Sequence, residues 1–528
     1  MVSKAIKLAR TSAKGGFNLF WGMAISSIIS SLGIIIIARL LSPSDYGLYS
    51  IVLIAPMLIQ IFRDLGIDQS TIRYTAKYNE EKQKNNIKTV LTAATTFEII
   101  FGTILSLITY LLADLIGNSI FNRPDIVPLI QLVSITVLAD ALLKTAQSAF
   151  TGYEKMKYHS FTLITHSIFK TGFMAIFVIA GFGVYGAIIG FTTASLLTGI
   201  TAILLFYTKI YKQLQNQKTT KKELITKLKT MFRYGLPLSA ATILGGFNGQ
   251  FYAFLIAIYT TDHLIGNFHV ATNFGVLIAF FVTPITTILF PAFSKINAQK
   301  EPETIKTVFQ SSVKYASLLI IPATFAVMTL AQPGVSTIFG EQYQFTPLYL
   351  ALYIIIYLYT ALGFLSTGNL INSQGKTNMT LKLAIISFTL GIILSLILIP
   401  TFGILGLIAS HLIAGIPSLI ISLWWIKKHY KATVDWKSST KILTASATAA
   451  IPTYIAATQL TLPNWLTLIL GAAIYLITYM ITAPLIGAIN KKDIQNLQET
   501  LEGFGPLSYL LKIPLNLIER LIIIFQKS

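Results

Sequence analysis

Apolar stretches recur from end to end of this chain, broken by short segments rich in charge, glycine or proline. Each is close to the roughly 20 residues a helix needs to cross the hydrocarbon of a bilayer. The pattern predicts fourteen spans, near residues 17–38, 46–66, 89–113, 126–149, 159–180, 184–207, 233–258, 266–291, 308–330, 346–370, 379–400, 403–426, 441–460 and 464–487. Composition agrees. Of 528 residues, 54% are hydrophobic and only 11% charged, with a mean hydropathy of +0.69. A soluble domain carries about 25% charged residues. The expected class is an all-α polytopic membrane protein. With no cysteine there is no disulfide, Cys–zinc site, iron–sulfur cluster or thiol nucleophile.

A formal net charge of +20 invites a nucleic-acid reading, but the placement of the charges explains it otherwise. Of 40 Lys and Arg, 33 lie in the N-terminal tail, the loops after even-numbered spans (counting Arg233 and Lys441 at the span edges) and the C-terminal tail. Loops after odd-numbered spans hold only Arg39 and Arg123. Under the positive-inside rule both termini are cytoplasmic. The charge is a topology signal, and nucleic acid is not an expected partner. The basic loop from Lys209 to Lys229 is a candidate contact for anionic lipid headgroups. The run Met1–Lys14 is too polar, and the first span too long, for a cleaved signal peptide. Residues 507–525, interrupted by Lys512, Pro514, Glu519 and Arg520, are expected to form an amphipathic helix on the inner surface.

The chain also repeats itself, at an offset of 218–221 residues. Ile87-Lys88-Thr89-Val90 recurs as Ile305-Lys306-Thr307-Val308, and Ile120-Phe121 as Ile338-Phe339. Lys155 matches Lys376, and Phe182-Gly183 with Gly186 matches Phe402-Gly403 with Gly406. Six spans per repeat, an even number, give both halves the same orientation. The expected organisation is a cytoplasmic segment (1–16), a first six-helix unit (17–207), a basic linker (208–232), a second six-helix unit (233–426), two appended spans (441–487) and a cytoplasmic tail (488–528). Paired bundles around a central path are a transporter design.

Two motifs mislead. Gly181-Phe182-Gly183-Val184-Tyr185-Gly186 fits GxGxxG but lies between two spans, without the βαβ setting that dinucleotide binding needs. It is expected to be a tight helix–helix turn. Gly375-Lys376-Thr377 resembles the end of a phosphate-binding loop, yet the glycine required upstream is Leu370. No nucleotide site, metal-ligand spacing or nucleophile–base pair stands out. The outer loops are too short to house catalysis, so the chain is not expected to be an enzyme.

Charges inside the spans are the functional candidates, because each costs roughly 2.5–3.5 kcal/mol at a helix centre. The first repeat holds Arg63, Asp64, Glu98, Asp140, Lys144 and Lys170. The second holds Lys314, Lys382 and His411, with no Asp or Glu in its spans. Thr136, Asp140, Lys144 and Gln147 form one polar stripe on span 4, and Thr162, His166 and Lys170 another on span 5. Such stripes face a cavity or each other, since lipid offers no hydrogen-bond partner. Asp140 and Lys144 either line a path or pair along their own helix. Lys144, Lys314 and Lys382 are also placed to snorkel to the headgroups. Glu98 either binds a coupling proton or pairs with a cation such as Lys170. Small residues on span 1 (Asn18, Gly22, Ser26, Ser30) and span 7 (Thr242, Gly246, Gly249, Gln250) suit close packing or a path lining. Tyr349, Tyr353 and Tyr357 at i, i+4, i+8 on span 10 suit stacking on sugar rings, or plain interfacial packing.

Ala38-Arg39-Leu40-Leu41-Ser42-Pro43-Ser44-Asp45-Tyr46-Gly47-Leu48-Tyr49 resembles the span 1–2 signature of the polysaccharide (Wzx-type) flippases of the multidrug/oligosaccharidyl-lipid/polysaccharide exporter superfamily. Asp64-Leu65-Gly66-Ile67-Asp68-Gln69, followed by Ile72-Arg73-Tyr74, is similar to that family's next segment. Phe290-Pro291-Ala292-Phe293-Ser294, Asn372-Ser373-Gln374-Gly375-Lys376 and Pro400-Thr401-Phe402-Gly403-Ile404-Leu405-Gly406 resemble its second-half landmarks. The resemblance covers residues 10–430. It implies two six-helix lobes in a V around a cavity, and transfer of a polyprenyl-(pyro)phosphate-linked oligosaccharide between leaflets of the cell membrane. On that reading Arg63, Lys144 and Lys170 form a cationic lining for the phosphate. His166, Gln147, Tyr353 and Tyr357 would contact the sugar, and Asp64, Glu98 and Asp140 are candidates for an H⁺ or Na⁺ coupling ion. A downhill exchange would need no ion, and no other cofactor is expected. Glycan assembly enzymes are candidate partners, and a monomer is the default. The alternatives are a lipid II-type flippase and a cation-coupled drug or small-molecule exporter of the same fold.

Overall fold

The computed structural model describes residues 2–214, 219–296, 300–491 and 493–495. The expected amphipathic helix at 507–525 lies outside the described residues. Within them the protein is helical throughout, with no strand. The helices are α1 (Val2–Leu40), α2 (Pro43–Gln60), α3 (Ile67–Glu80), α4 (Lys84–Asp114), α5 (Val127–Val133), α6 (Ile135–Gly152), α7 (Met156–Phe177), α8 (Gly183–Lys209) and α9 (Lys221–Tyr259). There follow α10 (Asp262–Ser294), α11 (Pro302–Thr329), α12 (Ala331–Phe339), α13 (Thr346–Tyr353), α14 (Phe364–Ser373), α15 (Thr377–Tyr430), α16 (Trp436–Gln459) and α17 (Asn464–Leu485). The apolar stretches read from the sequence fall largely on helix; the second runs past its helix end at Gln60 into the turn over residues 61–66, so Arg63 and Asp64 are not on a span helix.

Among the described residues, seven helical runs are long and apolar enough to cross a membrane, or eight if the bent pair 346–373 is one span. Large apolar side chains stand on the surface, as at Ile179 (70% exposed) and Leu111 (66%). In water that surface would be unfavourable at roughly 25 cal/mol per Å²; against lipid tails it costs nothing. The chain is a multi-pass membrane protein.

Two runs, Met156–Leu214 (59 residues) and Thr377–Tyr430 (54 residues), are far longer than one crossing requires. Both break near the middle at glycine. Gly181 has φ 91° and ψ 6°, Gly183 φ 53° and ψ −134°, and its repeat partner Gly403 φ 55° and ψ −126°. L-residues avoid these conformations, and glycine adopts them freely. The GxGxxG stretch is thus a turn between two helices, α7 and α8, which pack on each other.

Contacts group the chain into two units: Met1–His269 with Ser395–Ile404, and Val270–Leu394 with Leu405–Ser528. In the first, α9 packs on α2, α3 and α4. Gly66 and Gly235 meet so closely that a Cβ on Gly66 would lie 2.1 Å from the Gly235 carbonyl carbon. Arg123 grips Asp262 with two hydrogen bonds of 2.5 Å. The α1 stripe is a packing seam against α7: Ser26 Oγ and Ser30 Oγ lie 2.6 and 2.9 Å from Ser167 Oγ, and Ser160 Oγ donates to the Asn18 carbonyl at 2.8 Å. The span 7 glycines differ. Gly249 has open space where a Cβ would go, and Gly246 meets only Ile61 at 3.5 Å.

In the second unit, span 10 is not one helix. After α13 the chain tightens to a 3₁₀ segment, Ile354–Leu362, passes through Gly363 (φ 88°) and bends by 57° into α14. Lys314 does not snorkel: its Nζ is 2.6 Å from Asp493 Oδ2, and Asp493 is buried just after α17. That pair holds the start of the C-terminal segment on α11.

A Cβ on Gly22 would sit 2.3 Å from Ser160 Cβ, whereas one on Gly172 would meet nothing within 4 Å. Gly22→Val is expected to cost about 1–3 kcal/mol and lower the melting temperature of the purified protein. Gly172→Ala should leave it unchanged or raise it. Equal melting temperatures for Gly22→Val and wild type would contradict the α1–α7 seam.

Candidate functional site

The strongest concentration of polar chemistry inside the first unit forms where α2 ends. The helix stops at Gln60, and Ile61–Arg63 form a turn that carries Arg63 and Asp64 beyond the helix rather than on it. Asp64 Oδ1 accepts the backbone N–H groups of Gly66 (2.9 Å) and Asp68 (3.1 Å), starting α3. Gly66, with φ 86°, supplies the left-handed step. The motif Asp64-Leu65-Gly66-Ile67-Asp68 is therefore a folded turn that returns Asp68 toward Arg63.

Arg63 is buried, and carboxylates from three helices surround it. Its Nη1 donates to Glu98 Oε2 on α4 at 2.7 Å, and its Nη2 to Asp68 Oδ2 on α3 at 2.9 Å. Its Nε faces Asp140 Oδ2 on α6 at 3.6 Å. Ser148 Oγ donates to the other Asp68 oxygen at 3.0 Å. Carboxylate oxygens of Asp64, Asp68 and Glu98 lie within 4.8 Å of one another. Formally one positive charge faces four negative ones. Glu98, only 1% exposed, keeps Oε1 without a hydrogen-bond partner, and Arg63 Nε is likewise unpaired by hydrogen bond. Buried charge tolerates such a surplus poorly, so the cluster is chemically suited to take up a proton or a small cation.

The sequence candidates fall into three groups. Arg63, Asp64, Glu98 and Asp140 meet here. Asp140 approaches Arg63 and makes no ion pair with Lys144; Glu98 pairs with Arg63, not with Lys170. On α6 and α7 the two polar stripes join where Gln147 Nε2 donates to Thr162 Oγ1 at 3.2 Å. His166, half-buried with Nδ1 unpartnered, lies within electrostatic reach of Lys170, Asp140 and Lys144. Lys170 sits 5.3 Å above the Phe191 ring, and Lys144 is exposed. Tyr353 and Tyr357 belong to the second unit. Tyr353 stacks parallel to His411 at 6.0 Å. The 3₁₀ segment beginning at Ile354 takes Tyr357 out of the stripe that an unbroken α-helix would form with Tyr353.

Two members of the cluster, Asp68 and Ser148, were not singled out as candidates from sequence. Asp68 lay in a quoted motif, four residues after Asp64, and that spacing was the available signal. Ser148 carried none.

The family model described as "Polysaccharide biosynthesis protein" matches residues 36–346. This chain belongs to that family. Lipopolysaccharide biosynthesis protein WzxC of Escherichia coli K12 is 24% identical over 413 residues, covering 76% of this chain and 78% of its own. The probable low-salt glycan biosynthesis flippase Agl15 of Haloferax volcanii is 24% identical over 194 residues, covering 35% of this chain and 39% of its own. Among solved structures, the lipid II flippase MurJ in an inward closed conformation superposes with a TM-score of 0.71 at 17% identity, covering 88% of this chain and 98% of that one. An inward-facing multidrug resistance MATE transporter gives 0.61 at 16% identity, covering 78% and 98%. The family resemblance read from the motifs is borne out, and the fold is that of these transporters.

Removing one partner of a buried ion pair costs about 3–5 kcal/mol. Arg63→Gln is therefore expected to lower the melting temperature strongly and Glu98→Gln less, because carboxylates outnumber Arg63. In a double-mutant cycle, Glu98→Gln should cost less in the Arg63→Gln background than in wild type. Strict additivity would sink the cluster as a unit.

Proposed function

We propose that this protein moves a polyprenyl-(pyro)phosphate-linked oligosaccharide or polysaccharide repeat unit from the cytoplasmic to the outer leaflet of the cell membrane by alternating access. The layout we assign is fourteen spans, as two parallel six-span repeats plus two, with both termini cytoplasmic and a single chain as the working unit. The observation that carries the reading is the grouping of Lys144, Lys170 and His166 on α6 and α7, in a member of a polysaccharide biosynthesis family. A substrate phosphate drawn across hydrocarbon needs cations to offset its desolvation.

Arg63 is held by carboxylates. We therefore assign phosphate contact chiefly to Lys144 and Lys170, with Arg63 holding the acidic cluster. Gln147, His166, Tyr353 and Tyr357 provide polar and aromatic contacts for sugar. Glu98, with Asp64, Asp68 and Asp140, is the place for a coupling H⁺ or Na⁺. The acid surplus favours this coupling role, which a cation-coupled exporter would share; a lipid II-type substrate is the other variant of the same chemistry.

The test is transfer of a labelled polyprenyl-linked oligosaccharide in proteoliposomes, read by enzyme access at the opposite face, with and without a proton or sodium gradient. Lys144→Gln with Lys170→Gln is expected to slow transfer at least tenfold without changing the melting temperature. Glu98→Gln is expected to remove the response to the gradient. No transfer by folded wild-type protein with several authentic glycans would shift the reading to the exporter. Unchanged transfer by the double variant would overturn the lysine assignment.

A further inference from the structure

We propose that the second unit carries a phosphate-anion site in the cleft lined by Lys295, Lys376, Ser373 and Tyr430. The cleft has a volume of about 580 Å³ and lies where the C-terminal ends of α10, α14 and α15 meet the start of α15. Its floor is tied together. Gln374 Nε2 donates to the carbonyls of Phe293 (2.8 Å) and Ile296 (2.9 Å), joining α14 to α10. Gly375, at φ 71°, turns the chain into α15, where the Met379 and Thr380 N–H groups bind the Lys376 carbonyl and those of Thr377 and Asn378 have no carbonyl within the helix to bind. A long helix presents partial positive charge at that end.

Two lysines flank this helix start, and neither is in a salt bridge among the described residues. Tyr430 is the second, independent sign. It is 2% exposed, it lines the cleft, and its hydroxyl has no hydrogen-bond partner. A buried hydroxyl left unsatisfied is unfavourable, and a ligand oxygen would remove that penalty. Two ammonium groups, free helix N–H groups and a tyrosine O–H are all donors. Together they fit a phosphate.

The internal repeat sharpens the assignment. In the first unit the equivalent turn carries Lys155, and Ile210 stands where Tyr430 does, at the 220-residue offset of Gly183 and Gly403. There Lys155 Nζ donates to the Lys209 carbonyl at 2.5 Å, and the buried Ile210 side chain brings no hydroxyl. The lysine of this turn is satisfied within the protein in the first unit, and the buried hydroxyl at the tyrosine position belongs to the second. The stretch Gly375-Lys376-Thr377, which resembles the end of a phosphate-binding loop, thus shares that loop's ending chemistry in a different fold.

The phosphate has two sources: an anionic lipid headgroup, or a free phosphate-bearing molecule. Binding is measured without flipping, so failure here is separate from failure of the transport reading. The full chain in detergent is examined by native mass spectrometry with phosphatidylglycerol against phosphatidylcholine, and by calorimetric titration with inorganic pyrophosphate. Lys295→Gln with Lys376→Gln is expected to weaken binding at least tenfold, and Tyr430→Phe severalfold, with unchanged melting temperatures. Lys427→Gln with Lys437→Gln, removing the same charge outside the cleft, should leave binding intact. Selective loss of phosphatidylglycerol identifies a lipid headgroup, and selective loss of pyrophosphate a free phosphate. Loss of neither, or an equal loss in the control variant, overturns the site.

Discussion

A guanidinium inside a membrane protein cannot be left alone. Hydrocarbon offers it no hydrogen bond and no counter-charge, so the protein must bring both. Around Arg63 this requirement pulls together Asp68 of α3, Glu98 of α4 and Asp140 of α6. Each contact fixes the position of one helix relative to the turn after α2. The turn has its own internal support in the Asp64 carboxylate and the left-handed Gly66. Much of the inner architecture of the first unit depends on that one side chain being satisfied.

The same arrangement has chemical consequences. One cation among four carboxylates leaves an excess of negative charge, with one Glu98 oxygen free. A further positive charge at such a site would compete with Arg63 for its acids and so would change its internal contacts. That is the physical basis on which an ion gradient can bias a conformational equilibrium. The neighbouring α6–α7 face adds Lys144 and Lys170 beside Gln147, Thr162 and His166, with Asp140 shared between that face and Arg63.

The two repeats conserve geometry and diverge in chemistry. Gly183 and Gly403 turn the chain alike, since only glycine reaches those backbone angles without strain. The buried acidic cluster has no counterpart in the second repeat, whose spans contain no Asp or Glu. There polar contact comes from Tyr353 against His411. Divergence of side chains on a retained backbone lets one half hold a charged site while the other offers donors at its end.

The amino-acid sequence by itself determined the helical stretches, the membrane setting and the glycine turns. These depend on local periodicity and on backbone angles that few residues tolerate. The α1 stripe was legible as small residues every four positions, but that it packs on α7, while Gly249 of the like span 7 stripe stands in open space, was decided by the structure. Partner choice was not legible. Which acid meets Arg63 depends on how α3, α4 and α6 converge, and a helix pattern reports only which face a residue occupies. Hence Asp140 looked equally suited to Lys144 on its own helix, and Lys314 looked free to reach the headgroups. The break in span 10 was also hidden, because its apolar run is continuous through Gly363. Only tertiary structure decided these points, since burial rewards the best-satisfied set of long-range pairs rather than the nearest neighbour in sequence.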